Sequence, residues 1–416
     1  MIQHDERMIA PVVCGRHAGA DARSSLSPSV VTHAPAVRLA IAHDALVYAG
    51  GAERVVAALV ERWPAVPLFT SAYLPDCTFE AFRRADVRTS FVQRFARDPH
   101  TVMRRVFPLM VPGFRSFDFS DYQVVLSSSA YAAKTIRVPI TTCHICYCYS
   151  PLRLAWRPGD YFSVETGRAK RLAVELVAAA LRRWDLAVAR KVNYFATTCR
   201  NVALRIQAAY GCGAEVINAP IEFARYRVNP SGSDYYLVVS RLNHYKRVDL
   251  AIKATALLGR RLVIVGDGPQ GADLETLAGG ADVSFLGRVS DDVLLDLYAN
   301  CRALIFPQEE DYGLTPLEAQ ASGRPVVAYR AGGALETIIE HETGVFFDEQ
   351  TPECLAGAIE RLERTDFDRE RIRRHAAAFD ASAFSNRMTE FIERKWREFN
   401  APAVPDLTTR SGDIRV

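Results

Sequence analysis

Hydrophobic and polar positions along the chain follow a pattern that is typical of parallel α/β proteins. In the first half, short apolar runs predict strands and helices, with strands at 37–42, 66–69, 122–127, 142–147 and 194–197 and helices at 52–63 and 161–189. The second half repeats the alternation, with strands at 235–239, 261–265, 282–286, 303–306 and 325–328 and helices at 248–258, 271–277, 290–300, 315–322 and 334–340. Such alternation forms βαβ units, so the pattern predicts an α/β protein with two Rossmann-like domains and parallel sheets.

The same pattern divides the chain into five regions. A leader at 1–36 lacks a hydrophobic period and is expected to be flexible. One Rossmann-like domain is expected at 37–220 and a second at 221–382, with a cleft between the two sheets where ligands bind beyond the carboxyl ends of the strands. An amphipathic helix at 383–400 is expected to pack back toward the N-terminal domain, and a polar tail follows at 401–416.

Composition narrows the class of protein without identifying a partner. The 416 residues are 49% hydrophobic and 24% charged, which is ordinary for a soluble globular protein. A net charge of +3 is too small to indicate a nucleic-acid-binding protein. Nine scattered cysteines favour reduced thiols, and the chain shows neither a run of about 18 apolar residues nor a signal peptide. We therefore expect a cytoplasmic protein without a membrane span.

The segment at 308–319 carries the most informative candidate chemistry. It follows a predicted strand and opens a helix that has a proline in its first turn. Backbone amides at that helix start would favour an anion such as a diphosphate, and they belong to Gly313, Leu314 and Thr315. Glu310 and Glu318 could bind hydroxyl-rich groups such as a sugar and a ribose.

A second candidate segment follows the first strand of the second domain, at 239–247. It contains Arg241 and Lys246, close to the carboxyl end of the strand. A guanidinium and an ammonium group placed there can neutralise a pyrophosphate leaving group as its bond breaks. The pattern therefore indicates a site for diphosphate chemistry.

These two segments resemble the retaining glycosyltransferases of family four, which have the GT-B fold. Glu310 and Glu318 match the E-x7-E motif of that family, and Arg241 and Lys246 match its Arg-Leu segment with a following lysine. The resemblance implies that Arg241 and Lys246 hold the donor diphosphate. It also implies that Glu310 binds the transferred sugar and that Glu318 binds the ribose.

A glycine-rich turn after the second strand of this domain admits two interpretations. Gly266, Gly268 and Gly271 satisfy the G-x-G-x-x-G pattern of dinucleotide-binding proteins. That fingerprint should open the first βαβ unit of a domain and be followed by an acid after the next strand, and neither condition holds here. The family resemblance instead implies that this turn, with Arg288 and Val289, lines the pocket for the nucleotide base.

Segments of the first domain resemble mannosyltransferases of polysaccharide and O-antigen assembly within the same family. The segments are 43–54, 127–129 and 144–153. Gly50 and Gly51 lie between a strand and a helix, where glycine lets the backbone approach a phosphate or a sugar. The acceptor-side candidates are His144, Tyr149 and Arg153. These relatives usually have a histidine where this chain has Tyr149, so the role of that histidine cannot be carried over.

Two further segments bear on metal and membrane binding. Three cysteines and His144 crowd one predicted strand without a second Cys/His pair at zinc-finger spacing, which favours buried thiols over a metal site. No Asp-x-Asp pair stands at a strand end, so we predict transfer without a metal or another cofactor. The segment 94–115 interleaves five arginines with apolar residues, which suits an anionic membrane surface or, equally well, a partly buried acceptor-side loop.

The resemblance implies a retaining glycosyltransferase that moves a hexose, with mannose from GDP-mannose as the favoured donor. The expected acceptor is a glycan or a polyprenyl-linked oligosaccharide in cell-surface polysaccharide assembly, and the expected location is the inner face of the cell membrane, as a peripheral protein. Four alternatives stay open: a UDP-sugar-dependent glycosyltransferase, a sugar-nucleotide epimerase on the same fold, an NAD-dependent oxidoreductase and a catalytically silent glycan-binding relative.

Overall fold

Two parallel β-sheets, each flanked by helices, make up the described part of the chain. The computed structural model describes residues 37–158 and 167–402. The predicted leader at 1–36 lies outside these residues, as do 159–166 and 403–416. The predicted fold class, an α/β protein with two Rossmann-like domains, is confirmed.

The N-terminal domain contains a sheet of seven strands. The strands are β1 (Leu39–His43), β2 (Leu68–Thr70), β3 (Val87–Thr89), β4 (Val124–Ser129), β5 (Cys143–Cys148), β6 (Tyr194–Thr197) and β7 (Ala214–Val216). They pair in the order β3-β2-β1-β4-β5-β6-β7, and every pairing is parallel. The helices of this domain are α1 (Gly51–Arg62), α2 (Met110–Arg115), α3 (Arg153–Trp156), α4 (Arg168–Ala189) and α5 (Arg200–Tyr210).

The C-terminal domain contains a sheet of six strands. The strands are β8 (Tyr235–Val239), β9 (Arg261–Val265), β10 (Val283–Phe285), β11 (Ala303–Phe306), β12 (Val326–Tyr329) and β13 (Gly344–Phe347). They pair in the order β10-β9-β8-β11-β12-β13, again all parallel. The remaining helices are α6 (Val248–Leu257), α7 (Gly271–Ala278), α8 (Asp291–Asn300), α9 (Thr315–Ala321), α10 (Ala334–Thr337), α11 (Pro352–Arg364), α12 (Arg369–Ala377) and α13 (Ala381–Asn400).

The order of the strands fixes where ligands can bind. In each sheet the first strand has the second strand on one side and a later strand, β4 or β11, on the other. The loops after β1 and β4, and likewise the loops after β8 and β11, therefore run in opposite directions. The crevice between two such loops is the usual binding place in open α/β sheets. Strands β1, β4 and β5 are buried along their whole length, as parallel strands covered by helices on both faces should be.

The last helix returns the chain to the N-terminal domain. Asp380 caps α13 by accepting a hydrogen bond from the Ser382 amide at 3.2 Å. Phe384 of α13 then lies edge-on to Tyr147 of β5, with 5.9 Å between the ring centroids. Near the other end of the helix, Arg394 donates to Glu215 at 2.7 Å. The chain therefore crosses between the domains twice.

Eight of the elements given above have no counterpart in the predicted pattern, namely β3, β7, β13, α2, α3, α5, α11 and α12. Strands β3 and β7 are three-residue edge strands with partly exposed side chains, so they lack a continuous apolar run. In the described ranges 37–158 and 167–402, no helix is both long enough and apolar enough to cross a bilayer.

Candidate active site

A cleft of 1360 Å³ separates the two domains. Its lining comes from the loops after β1, β4 and β5 on one side and after β8, β9 and β11 on the other. Pockets for small ligands usually measure roughly 300–1,000 Å³, so this cleft has room for one substrate and part of a second.

The three predicted catalytic residues, Arg241, Lys246 and Glu310, all line this cleft. Arg241 and Lys246 lie between β8 and α6, and Glu310 follows the adjacent strand β11. The Lys246 ammonium contacts the Glu310 carboxylate. Burial, together with the guanidinium groups of Arg241 and Arg153, lowers the pKa of Lys246 to about 8. Two cations and one carboxylate therefore converge at the switch point of the second sheet.

The glycine-rich turn after β9 packs closely against the loop that carries Arg241. Gly266 has φ of +124°, and a Cβ there would overlap the Ser240 carbonyl oxygen. A Cβ on Gly268 would lie 2.5 Å from the Leu242 carbonyl oxygen. Gly266 lines the cleft and Gly268 does not, so the donor-binding role of Gly268 stays a prediction. The close packing of the two loops is sufficient reason for glycine at both positions, so the glycines do not require a dinucleotide ligand.

The start of α9 faces the cleft and meets the N-terminal domain there. Gly313, Leu314 and Thr315 all line the cleft. Gly313 has φ of +83°, and a Cβ there would lie 2.7 Å from the ring of Phe306. Gly51 faces this turn from α1, because a Cβ on Gly51 would lie 3.2 Å from the Leu314 side chain. The two predicted phosphate-binding segments are thus brought together.

The predicted base-pocket residues Arg288 and Val289 also line the cleft. The Arg288 Nε atom lies 2.8 Å from an oxygen of Asp267, and both side chains are largely exposed. This surface pair crosses from the loop after β10 to the loop after β9.

Glu318 does not line the cleft. Its side chain is buried and its two oxygens are already bonded, since Arg54 donates to Oε1 at 2.9 Å and Tyr298 donates to Oε2 at 2.6 Å. Burial acts to lower the pKa of Arg54, but Glu318, Tyr226 and Glu222 together outweigh burial and raise it. Glu318 thus takes part in a contact between the domains, and the ribose-binding role that the resemblance implies stays a prediction.

The acceptor-side candidates separate into two groups. Tyr149 and Arg153 line the cleft, and the Tyr149 hydroxyl donates to the Ala52 carbonyl oxygen at 3.0 Å. His144 is buried in β5, with its Nε2 atom 2.8 Å from Ser127 Oγ. Burial lowers the pKa of His144 to about 3, so its ring is neutral. As an acceptor-side candidate His144 is wrong.

The cysteines of β5 are free buried thiols. Burial raises the pKa of Cys143 to about 12. In the part of the chain that the structure describes, no three His, Cys, Asp or Glu side chains are grouped so as to hold a metal ion.

Asp311 joins the two domains, and the sequence pattern does not single it out. Arg153 Nη2 lies 2.5 Å from its Oδ2, and Arg205 contacts its Oδ1. The Cys199 thiol donates to the Asp311 carbonyl oxygen at 2.7 Å. Arg205 precedes Asp311 by 106 residues, so no local spacing could have revealed the pair.

Comparison with known proteins assigns the C-terminal domain to a family. Residues 222–379 match the family model of the glycosyl transferases group 1. This stretch includes β8 to β13 and contains Arg241, Lys246 and Glu310. The C-terminal domain is therefore a glycosyl transferases group 1 domain.

The similarity to curated relatives extends over only a part of each relative's length. The sulfoquinovosyl transferase SQD2 of Arabidopsis thaliana is 39% identical over 114 residues, which cover 26% of this chain and 22% of that protein. The D-inositol 3-phosphate glycosyltransferase of Acidothermus cellulolyticus is 39% identical over 146 residues, covering 30% and 32%. The alpha-D-kanosaminyltransferase of Streptomyces kanamyceticus is 33% identical over 160 residues, covering 36% and 41%. The chain thus spans less than half of each of these relatives.

Solved structures match nearly the whole described chain at low identity. Anabaena HepE in complex with UDP has a TM-score of 0.62 at 16% identity, covering 85% of this chain and 100% of that one. The sucrose-phosphate synthase of Thermosynechococcus elongatus has a TM-score of 0.63 at 16% identity, covering 86% and 100%. At such identities the likeness concerns the fold alone, and that fold is GT-B.

Proposed function

We propose that this protein is a retaining glycosyltransferase that transfers a hexose from a nucleotide sugar to a glycan or lipid-linked acceptor. One observation carries the proposal: Arg241, Lys246 and Glu310 of the group 1 domain converge on the cleft between the domains. Two cations beside a carboxylate suit a substrate in which a diphosphate is joined to a hydroxyl-rich sugar.

In the proposed reaction, Arg241 and Lys246 neutralise the nucleoside diphosphate as its bond to the sugar breaks. Glu310 holds Lys246 in place and accepts hydrogen bonds from hydroxyls of the sugar. The acceptor hydroxyl attacks the anomeric carbon from the face that the diphosphate leaves, and its proton passes to a departing phosphate oxygen. Two protein cations supply the charge that a metal would supply, so the proposed transfer uses no metal or other cofactor.

Mannose from GDP-mannose is the proposed donor, and cell-surface polysaccharide assembly is the proposed process. The support is the resemblance of 43–54 and 144–153 to mannosyltransferases of that process. A UDP-sugar is the second candidate donor, because Anabaena HepE has been solved with UDP and with UDP-glucose. Size and hydrogen-bonding groups of the pocket decide between the two bases.

The acceptor is proposed to bind on the N-terminal side of the cleft, near the cytoplasmic face of the membrane. Apolar side chains of Met103, Phe107 and Met110 line that side. All five arginines between 94 and 115 are exposed, and so are Phe95 and Leu109. Exposed arginines among exposed apolar side chains support peripheral binding to anionic lipid. Failure to sediment with anionic vesicles at low salt would contradict this part of the proposal.

The test of the function is turnover of GDP-mannose and UDP-glucose, with the anomer of the released or transferred sugar read by NMR. We expect release of the nucleoside diphosphate and an α-configured product, that is, retention. A rearranged nucleotide sugar would indicate an epimerase instead, and reduction of NAD an oxidoreductase. Donor binding without any sugar release would indicate a silent relative.

A further inference from the structure

A carboxylate of the N-terminal domain lies in the cleft without a partner. Glu53 is in the first turn of α1 and lines the cleft, with its side chain 13% exposed. At this helix position a glutamate often bonds back to the amide that precedes the helix. Within the described ranges, however, the Glu53 carboxylate accepts no hydrogen bond. Burying a carboxylate without a donor costs free energy, so its position calls for a ligand.

Gly50 makes room for this carboxylate. A Cβ on Gly50 would lie 2.7 Å from Glu53 Oε2, so any larger residue would push the carboxylate aside. Gly50 therefore has a role besides the predicted one of letting the backbone approach a phosphate. Across the cleft, Gly51 meets Leu314, which places Glu53 near the junction of the two domains.

A buried histidine stands directly behind Glu53. His43 is 2% exposed, and its Nε2 atom lies 3.8 Å from Glu53 Oε1 with no hydrogen-bond partner among the described residues. The buried Nε2 atom and the partly exposed Glu53 carboxylate thus face each other across a distance too long for a direct hydrogen bond.

The protons on the other side of the histidine can be assigned from its neighbours. His43 Nδ1 lies 3.1 Å from Ser128 Oγ, Ser128 Oγ lies 2.8 Å from the Tyr149 hydroxyl, and that hydroxyl donates to the Ala52 carbonyl. All three bonds are satisfied when Nδ1 donates to Ser128 and Ser128 donates to Tyr149. With Nδ1 directed to Ser128, Nε2 is the ring atom that faces Glu53, and it has no hydrogen-bond partner among the described residues.

We propose that Glu53, positioned by His43, is a sugar-binding residue that accepts hydrogen bonds from hydroxyls of the substrate. Hydroxyl groups are the donors that both a nucleotide sugar and a glycan acceptor offer in quantity. The inference rests on the proposed function and adds to it a second carboxylate, from the domain opposite Glu310. The hydroxyls belong either to the transferred sugar or to the acceptor, and the test separates these two sources.

The first experiment compares Glu53→Gln with Glu61→Gln, an exposed glutamate at the far end of the same helix. We expect kcat/KM to fall about 10-fold to 100-fold in Glu53→Gln, with the melting temperature of the free protein unchanged, and to stay at the wild-type value in Glu61→Gln. Melting is also followed with GDP and with GDP-mannose. The quantity compared is the rise in melting temperature with GDP-mannose beyond the rise with GDP. If this difference is smaller in Glu53→Gln than in the wild type, the hydroxyls belong to the donor sugar. If it is unchanged and the KM for the acceptor is raised, they belong to the acceptor.

The second experiment separates positioning of Glu53 from support of the strand. Asparagine at position 43 can replace the Nδ1 donor to Ser128 but leaves the Nε2 position empty, whereas glutamine reaches the Nε2 position. We expect His43→Gln to keep more activity than His43→Asn, and a purely structural histidine gives the reverse order. Wild-type kcat/KM in Glu53→Gln overturns the proposal. Absence of sugar release by the wild-type protein overturns the proposed function instead.

Discussion

Glu310 and Glu318 belong to one motif and have different surroundings. Glu310 lies in the loop after β11, lines the cleft and contacts Lys246. Glu318 lies eight residues further on, in the first turn of α9, is buried, and bonds to Arg54 and Tyr298. The spacing of the motif is therefore compatible with two separate tasks, one in the cleft and one between the domains.

The physical reason for the difference is the supply of partners. A buried carboxylate without donors costs free energy, and for Glu318 the N-terminal domain provides a donor in Arg54 of α1. Asp311 is held from the same domain by Arg153 and Arg205. The segment that follows Glu310 is thus bound to the N-terminal domain at two points, Asp311 and Glu318, so its geometry depends on how closely the domains approach.

The largest predicted difference between Glu318 and Glu310 is in their contribution to stability. Glu318→Ala leaves the Arg54 cation, whose side chain is 20% exposed, without its carboxylate, which should lower the free energy of unfolding by about 3 kcal/mol, the low end for a buried pair. Glu310→Ala should lower it by less, about 1–2 kcal/mol, because Glu310 and Lys246 both line the open cleft, with side chains that are 17% and 16% exposed. Urea unfolding of both variants measures the difference. Equal losses would mean that the two carboxylates are not in different environments.

For the Lys246–Glu310 pair in the cleft, we expect an effect of similar size on catalysis. Lys246→Ala removes a cation that stabilises the leaving diphosphate, so kcat should fall about 10²-fold to 10³-fold without loss of stability. Lys253→Ala, at an exposed position of α6, is the matched control and should turn over donor like the wild type. Wild-type turnover of the Lys246 variant would refute the site assignment.

A smaller effect is expected from the ion pairs that Asp311 forms with the N-terminal domain. Asp311→Asn weakens the ion pairs with Arg153 and Arg205, which are partly exposed, so the stability loss should be about 1 kcal/mol. Because Asp311 adjoins Glu310, the KM for the donor should rise and should become less sensitive to salt than in the wild type. Asp348→Asn breaks an exposed Asp–Arg pair within the C-terminal domain and should leave the donor KM as it is. A donor KM that changes equally in both variants would contradict the positioning role.

The smallest predicted effect is a dependence on pH. The lowered pKa of Lys246, about 8, means that the ammonium loses its proton above that pH in the free enzyme. Since the charged form binds the diphosphate, kcat/KM should be constant below about pH 8 and fall as the pH rises further. Lys246→Arg should remove this decline, because a guanidinium group stays charged. A decline that persists in the arginine variant would assign it to another group.

Much of the fold could be predicted because parallel strands are buried on both faces and leave continuous apolar runs. The edge strands β3 and β7 could not, since three partly exposed residues carry no such signal. The cleft loops could be located because each follows the carboxyl end of a predicted strand.

The contacts between the domains could not be predicted from the sequence. Arg54 and Glu318 are separated by 264 residues, and no periodicity links them. His43 and Glu53 stand within a segment that the sequence marks as a site, but their lack of hydrogen-bond partners is visible only in three dimensions.

The most direct test of the central claim is the melting temperature of the wild type, Lys246→Ala and Glu318→Gln with GDP, UDP, GDP-mannose, UDP-glucose or NAD. A ligand that binds the folded state raises that temperature. The account predicts a shift with one nucleotide and its sugar conjugate that is lost in Lys246→Ala and retained in Glu318→Gln. A shift with NAD alone, or one that Lys246→Ala leaves intact, would contradict it.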